Sequence, residues 1–225
     1  MKFAPRIIAA AIAATTVFAT TAQAQTLFTG FTSACFYTTI ACTPDSGPYA
    51  NTALANGPLT YRNSTFSGTT TGGFLGIGTA PVNPNTDNLG SFTLVNGTRD
   101  FAADRFNLRV TFTAPGSAVP SNTVYTALLS GSVTAVGAND QGGFALMFTN
   151  PTQNFTFAGG TFTLTVNNLA VQGVGAGSPD KMVAITGFIN ATTVPEPSTY
   201  LLMAAGLAGV GIVSRRRRAV QVRGS

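Results

Sequence analysis

The stretch RFNLRVTFT, residues 105–113, alternates polar and apolar side chains without a break. Its apolar side chains are Phe106, Leu108, Val110 and Phe112. Successive side chains of a strand point to opposite faces of the sheet. The stretch therefore predicts a β-strand with one face in the core and the other toward solvent.

The same period of two recurs elsewhere in the chain. NFTFAGGTFTLTV, residues 154–166, predicts a hairpin that turns at Gly159-Gly160, because glycine allows the positive φ angles of tight turns. Further strands are expected in 58–68, in 91–101 with a turn at Asn96-Gly97, in 125–149 with a turn over 139–143, and in 181–190. Residues 25–57 show no clear pattern.

Composition favours the same fold class. The chain has 25 Gly and 17 Phe, and only 8% of its residues are charged, which disfavours both helix and disorder. We predict an all-β protein with an antiparallel β-sandwich or jelly-roll-like body. We expect an N-terminal signal peptide before this body and one short C-terminal transmembrane helix after it.

The N-terminus has the order of a secretory signal peptide. Lys2 and Arg6 precede an apolar run over 7–18, and small residues then stand at Ala22 and Ala24. Cleavage after Ala24 would make Gln25 the first residue of the mature chain. The alternative is an N-terminal anchor that is never removed.

The C-terminus combines three features in a row. They are the residues Val194, Pro195, Glu196, Pro197 and Ser198, an apolar segment over 200–213, and the arginines Arg215, Arg216, Arg217 and Arg218. As a helix the apolar segment would be about 21 Å long, against about 30 Å for a hydrocarbon core. The arginines are expected to hold their end in the cytoplasm. A permanent single-span anchor is the alternative to a removable one.

The basic character of the chain comes from its two ends. The net charge is +5, but residues 25–194 hold five positive and six negative side chains. The body is therefore near neutral, and nothing in it favours binding to nucleic acid.

This C-terminal arrangement resembles the PEP-CTERM sorting domain of exported proteins in Gram-negative bacteria that make extracellular polysaccharide. The signal peptide implies export by the Sec translocon and cutting by signal peptidase, and the resemblance implies recognition by an exosortase that cuts at or near the Pro-Glu-Pro. It further implies transient anchoring in the inner membrane, then release to the cell surface or extracellular matrix. The segment 89–116 loosely resembles the choice-of-anchor domains found beside such tails.

These features divide the chain into four parts. We expect a signal peptide over 1–24, a β body over 25–192, a sorting signal over 193–218 and a cytoplasmic tail over 219–225.

The body has few candidate catalytic residues. The chain has no His, which excludes Ser-His-Asp and Cys-His systems, and its single Glu is Glu196 of the sorting segment. Asp100 and Asp104 are the nearest carboxylates for a hydrolase, but we expect Asp104 to pair with Arg99 or Arg105 or to solvate the strand start. We predict no catalytic residue.

The two cysteines, Cys35 and Cys42, are expected to form a disulfide in an oxidising compartment. A redox or metal pair is the alternative. Oxygen ligands for calcium could come from Asn83, Asn85, Asp87, Asn88, Asn139 and Asp140, but these residue types also favour turns. We predict no metal and no cofactor.

We predict a non-enzymatic surface or matrix protein associated with exopolysaccharide and biofilm. The alternative is a carbohydrate-binding module that retains exopolysaccharide, with sugar-stacking aromatics chosen from Tyr37, Tyr49, Tyr61 and Tyr125. The glycine-rich segments 72–78 and 173–177 are expected to be flexible loops, because neither has the spacing of a phosphate-binding loop.

Overall fold

The computed structural model describes residues 25–46, 53–78, 80, 85–95, 97–136, 139–172, 181–193 and 203–211. Over these ranges the chain forms one helix, at 203–211, and fifteen strands. The strands are β1 (Leu27–Tyr37), β2 (Ala53–Asn56), β3 (Leu59–Arg62), β4 (Thr65–Thr69), β5 (Phe74–Ile77), β6 (Ser91–Leu94), β7 (Arg99–Asp100), β8 (Arg105–Ala114), β9 (Asn122–Val136), β10 (Asn139–Phe148), β11 (Thr152–Phe157), β12 (Gly160–Val166), β13 (Leu169–Gln172), β14 (Lys181–Ala184) and β15 (Gly187–Thr193).

The described strands form three antiparallel sheets that curl into a half-barrel. One is seven-stranded in the order β13-β10-β9-β8-β1-β4, with β7 added on β9. The other two have four strands each, in the orders β11-β12-β15-β5 and β14-β6-β3-β2. The all-β class and the antiparallel pairing are thus confirmed.

The strand β8 lies at the centre of the seven-stranded sheet, between β1 and β9. Phe106, Leu108, Val110 and Phe112 are all buried, as the alternation predicts. The Phe112 ring meets four other core rings edge to face at ring-centroid distances of 4.9–6.3 Å: Phe28, Phe66, Phe155 and Phe162. Phenylalanine supplies large apolar area here, and this area joins two sheets into one core.

The predicted hairpin over 154–166 is confirmed as β11 and β12. Phe155 pairs with Phe162, and Phe157 pairs with Gly160. The turn therefore lies at Ala158-Gly159, one residue earlier than predicted, with Gly160 in the strand at φ +145°. The hairpin of β9 and β10 likewise has a shorter connection, since Asn139 already pairs with Val136.

Three sequence predictions about strands were wrong. The segments 58–68 and 181–190 each divide into two strands that belong to different sheets, because the chain passes from one sheet to the next within each segment. The strands around Asn96-Gly97 do not form a hairpin, since β6 pairs with β3 and β14 while β7 pairs with β9.

The strand β1 was not predicted, although it has eleven residues and pairs with both β4 and β8. Its inward side chains include Phe28 but also Thr32, which is fully buried. Gly30 is needed for close packing: a Cβ there would lie 2.5 Å from the Phe66 ring and closer still to the Thr111 carbonyl oxygen. Small and polar inward residues therefore conceal the apolar period of this strand.

Candidate functional site: sorting segment and exposed sheet face

The last strand of the body leads directly into the sorting segment. Thr193 is the final residue of β15 and pairs with Gly160 of β12. Thr192 and Thr193 are therefore part of a sheet, and Thr193 is both the last residue of β15 and the first residue of the predicted sorting signal. The residues from Val194 to Ser198, the arginines from Arg215 to Arg218, and Ala22 and Ala24 lie outside the described residues, and Gln25 is the first described residue.

The apolar segment of the tail is helical where it is described, over 203–211, and its side chains there are exposed. Among the described residues, no helix has the length and apolar character needed to cross a membrane.

The predicted disulfide between Cys35 and Cys42 is confirmed, with 6.3 Å between the two Cα atoms. It holds the segment after β1 over the outer face of β8. The Asn107 side-chain amide donates to the Cys42 carbonyl at 2.7 Å, and Arg109 donates to the Pro44 carbonyl at 3.3 Å. The outer face of β8 is therefore partly covered, and Asn107 is buried rather than exposed as the alternation suggests.

The two candidate carboxylates have separate structural partners. Asp104 is buried and accepts hydrogen bonds from the Arg99 guanidinium at 2.9–3.0 Å and from Asn56 at 2.9 Å. Asp100 accepts from the backbone N–H of Ala102 at 2.9 Å. The expected pairing of Asp104 with Arg99 is thus confirmed, and it ties β7 and the strand β2 of another sheet to the start of β8.

The candidate calcium oxygens take part in turn hydrogen bonds. Asn85 Oδ1 accepts from the Asn88 amide at 2.8 Å, and Asn88 Oδ1 accepts from the Gly90 N–H at 2.9 Å. Asp87, at φ 56°, accepts from the Ser67 N–H at 3.3 Å. Asn139 and Asp140 belong to β10 and Asn83 lies outside the described residues. Across the described part of the chain, no group of three or more His, Cys, Asp or Glu residues is placed to hold a metal.

Two of the four tyrosines proposed as sugar-stacking residues are buried. The Tyr61 hydroxyl donates to the Leu89 carbonyl at 3.2 Å and lies 3.0 Å from Thr32 Oγ1. The Tyr125 hydroxyl donates to the Leu164 carbonyl at 3.0 Å, and burial raises the pKa of both phenols. Assigning these two tyrosines to sugar stacking was therefore wrong. Tyr37 is half-buried, and Tyr49 lies outside the described residues.

An exposed polar surface covers the outer side of the sheet β11-β12-β15-β5. We call it the Thr/Asn face; it surrounds a shallow depression of about 390 Å³ and consists of Asn154, Thr156, Thr161, Thr163, Asn190 and Thr192. At its edge the rings of Phe74 and Phe188 stack with centroids 5.8 Å apart and planes inclined by 26°.

The Thr/Asn face was not predicted from the sequence. The alternating threonines of β12 were visible as the polar side of a hairpin. Phe74, however, lies in the segment 72–78, which was predicted to be a flexible loop. The structure corrects that prediction, since β5 pairs with β15 and so places Phe74 beside Asn190.

The described chain is thus an all-β domain whose last strand carries a C-terminal segment. Residues 193–218 match the PEP-CTERM protein-sorting motif. This confirms the resemblance noted in the sequence and identifies an exported protein that an exosortase sorts. Comparisons with curated proteins and with solved structures each found no match. The likeness of 89–116 to choice-of-anchor domains stays a prediction.

Proposed function

We propose that this chain is a non-enzymatic surface or extracellular-matrix protein that associates with exopolysaccharide in a biofilm. The observation that carries the proposal is the sorting motif over 193–218. In this scheme, signal peptidase removes residues 1–24 after export by the Sec translocon. The apolar segment of the tail then retains the protein in the inner membrane until an exosortase acts at Pro195-Glu196-Pro197.

The position of the motif supports this order of events. It begins at Thr193, where β15 ends, so a cut after this residue leaves every described strand intact. The two prolines favour an extended chain, which is the form a protease accepts. An exosortase can therefore release the body without unfolding it.

The scarcity of catalytic side chains in the sequence supports a structural role. The whole chain lacks His, and its single Glu belongs to the motif. Asp104, the only one of the two candidate carboxylates that is buried, is committed to Arg99 and Asn56. A hydrolase that uses these carboxylates would have to break the ion pair between Asp104 and Arg99.

The experiment that tests this proposal is intact-mass analysis of the protein from its exporting host, with and without a functional exosortase. We expect a product that begins at Gln25 and has lost the apolar segment and the arginines. Substituting both Pro195 and Pro197 by alanine should leave the tail attached, while Arg223→Ala, beyond the matched residues, should not change the product. A full-length protein held in the inner membrane of an exosortase-positive host would refute the proposal.

The second part of the proposal, association with exopolysaccharide, needs a different measurement. The protein should sediment with the matrix polymer from the host and should stay in the supernatant of a strain that makes no polymer. Equal distribution in both strains would exclude the association and leave the sorting result standing.

The alternative function, a carbohydrate-binding module that retains the polymer, has one observation in its favour. The Thr/Asn face presents amides and hydroxyls beside an aromatic pair formed by the exposed Phe74 and the half-buried Phe188. A carbohydrate-binding module requires direct contact between this face and sugar, whereas a structural role does not.

A further inference from the structure

We propose that the Thr/Asn face, together with Phe74 and Phe188, binds a neutral, extended polysaccharide chain laid across the strands β11, β12, β15 and β5. The inference rests on the proposed function in one respect: export brings the body into contact with extracellular polymer. The binding site itself is inferred from the side chains of the Thr/Asn face and the aromatic pair beside it.

The aromatic pair is unlike the other ring pairs of the protein. Most of the described core rings are tilted or meet edge to face, and the one other stacked pair, Phe155 with Phe162, is buried. Phe74 is 51% exposed and stacks on Phe188 at the surface. A Cβ at Gly76 would lie only 3.7 Å from the Phe74 ring, so the ring lies above the bare backbone of its own strand. The result is an apolar platform that water covers in the free protein.

A row of hydrogen-bonding side chains extends from this platform across the sheet. Asn154 pairs with Thr163, Thr163 pairs with Asn190, and Asn190 pairs with Phe74. The row crosses four strands, which corresponds to about 14 Å at the usual spacing between strands. It is long enough for several sugar rings in succession.

The chemistry of this row suits sugar hydroxyls. An asparagine amide offers two donors and an acceptor, and a threonine hydroxyl can donate or accept. Within the described residues, the side chains of Asn154, Thr163 and Asn190 make no hydrogen bond. They are free to bond a hydroxylated ligand, while the apolar face of a sugar ring packs on the aromatic pair.

The uncharged side chains of this sheet surface indicate which class of polymer it binds. Every outward side chain on β11, β12, β15 and β5 is uncharged: Thr, Asn, Phe or Gly. An acidic polysaccharide would find no arginine or lysine among them to neutralise its carboxylates. We therefore assign the face to a neutral polymer.

The binding experiment uses the full chain in a sugar-free zwitterionic detergent, so that the result does not depend on tail processing. Isothermal titration calorimetry would measure binding of three neutral hexasaccharides, β-1,4-linked chains of glucose, xylose or mannose, and of an acidic oligogalacturonate. We expect at least one neutral chain to bind and the acidic chain not to bind.

The variants locate the site. Phe74→Ala should weaken binding by roughly tenfold, equivalent to about 1.4 kcal/mol, and Phe74→Tyr should restore it. Asn190→Ala tests the polar row. Met147→Ala is the matched control, because Met147 is 57% exposed but lies on β10 of the seven-stranded sheet.

Three results would overturn the inference. They are no binding of any neutral chain to the wild type, equal affinities for Phe74→Ala and Met147→Ala, and dimerisation that depends on Phe74 without sugar binding. The last would assign the face to a second copy of the chain. Failure to bind sugar leaves the sorting proposal standing if the protein from the host has a correctly trimmed tail. If the chain binds sugar but keeps its tail in an exosortase-positive host, only the sorting proposal is refuted.

Discussion

Replacing Asp104 by asparagine is expected to lower the free energy of unfolding by about 3 kcal/mol. Asp104 is buried, and its carboxylate accepts three hydrogen bonds from Arg99 and one from Asn56. The substitution keeps the shape of the side chain but removes its charge, and it places an amide N–H against the Arg99 guanidinium. Arg99 then stays in place without a counter-ion.

The magnitude follows from how far the pair is buried. Breaking a fully buried ion pair from one side costs about 3–5 kcal/mol, whereas an exposed pair contributes about 0–1 kcal/mol. The Asp104 side chain is 4% exposed and the Arg99 side chain 31% exposed, so water screens one partner only. The cost of the substitution should therefore lie at the lower end of the range for buried ion pairs, about 3 kcal/mol.

The assay is urea unfolding of the full chain with its disulfide intact, followed by far-ultraviolet circular dichroism because the protein has no Trp. Asp100→Asn is the matched control: it is the same chemical change at an exposed side chain whose described hydrogen bond is to the Ala102 N–H. The control should lose less than about 1 kcal/mol, and the slope of unfolding against urea should not change in either variant. Equal losses for the two variants would refute the reasoning that burial decides the cost.

Two further predictions concern the strand β1. Gly30→Ala should destabilise the fold strongly, because its Cβ would contact the Thr111 carbonyl oxygen, while Gly116→Ala, with nothing within 4 Å, should be near neutral; thermal unfolding of both would check this. Replacing Cys35 and Cys42 together by serine should lower the free energy of unfolding by about 2 kcal/mol, from the entropy of a short closed loop. No change in urea midpoint under non-reducing conditions would contradict it.

The strand β8 could be predicted from the sequence because its inward residues are all large and apolar. Phe106, Leu108, Val110 and Phe112 alternate with polar residues, and a strand with one buried face requires no more than this. The neighbouring strand β1 could not be predicted, since Thr32 is buried beside Tyr61 and only the structure shows its hydrogen-bond partner. A buried threonine and an exposed one look alike in a sequence.

The sorting motif, like β8, could be predicted from the sequence, whereas the Thr/Asn face, like β1, could not. Residues 193–218 are recognised from a continuous order of residue types, so the sequence alone was sufficient. The face combines Phe74, Thr163 and Asn190 from three strands that are distant along the chain, and it exists only because β15 pairs with both β5 and β12. Without knowledge of the strand order, nothing distinguished Phe74 from the other residues of the glycine-rich segment 72–78.

The strand β15 connects the two functions that we propose. Its inward residues Ile189 and Ala191 belong to the core, its outward residues Asn190 and Thr192 belong to the Thr/Asn face, and the sorting motif begins at its last residue. A cut upstream of Ala191 would remove part of the face and of the core together. Only a cut downstream of this strand releases a complete domain, so the position of the motif keeps the proposed binding surface intact in the sorted product.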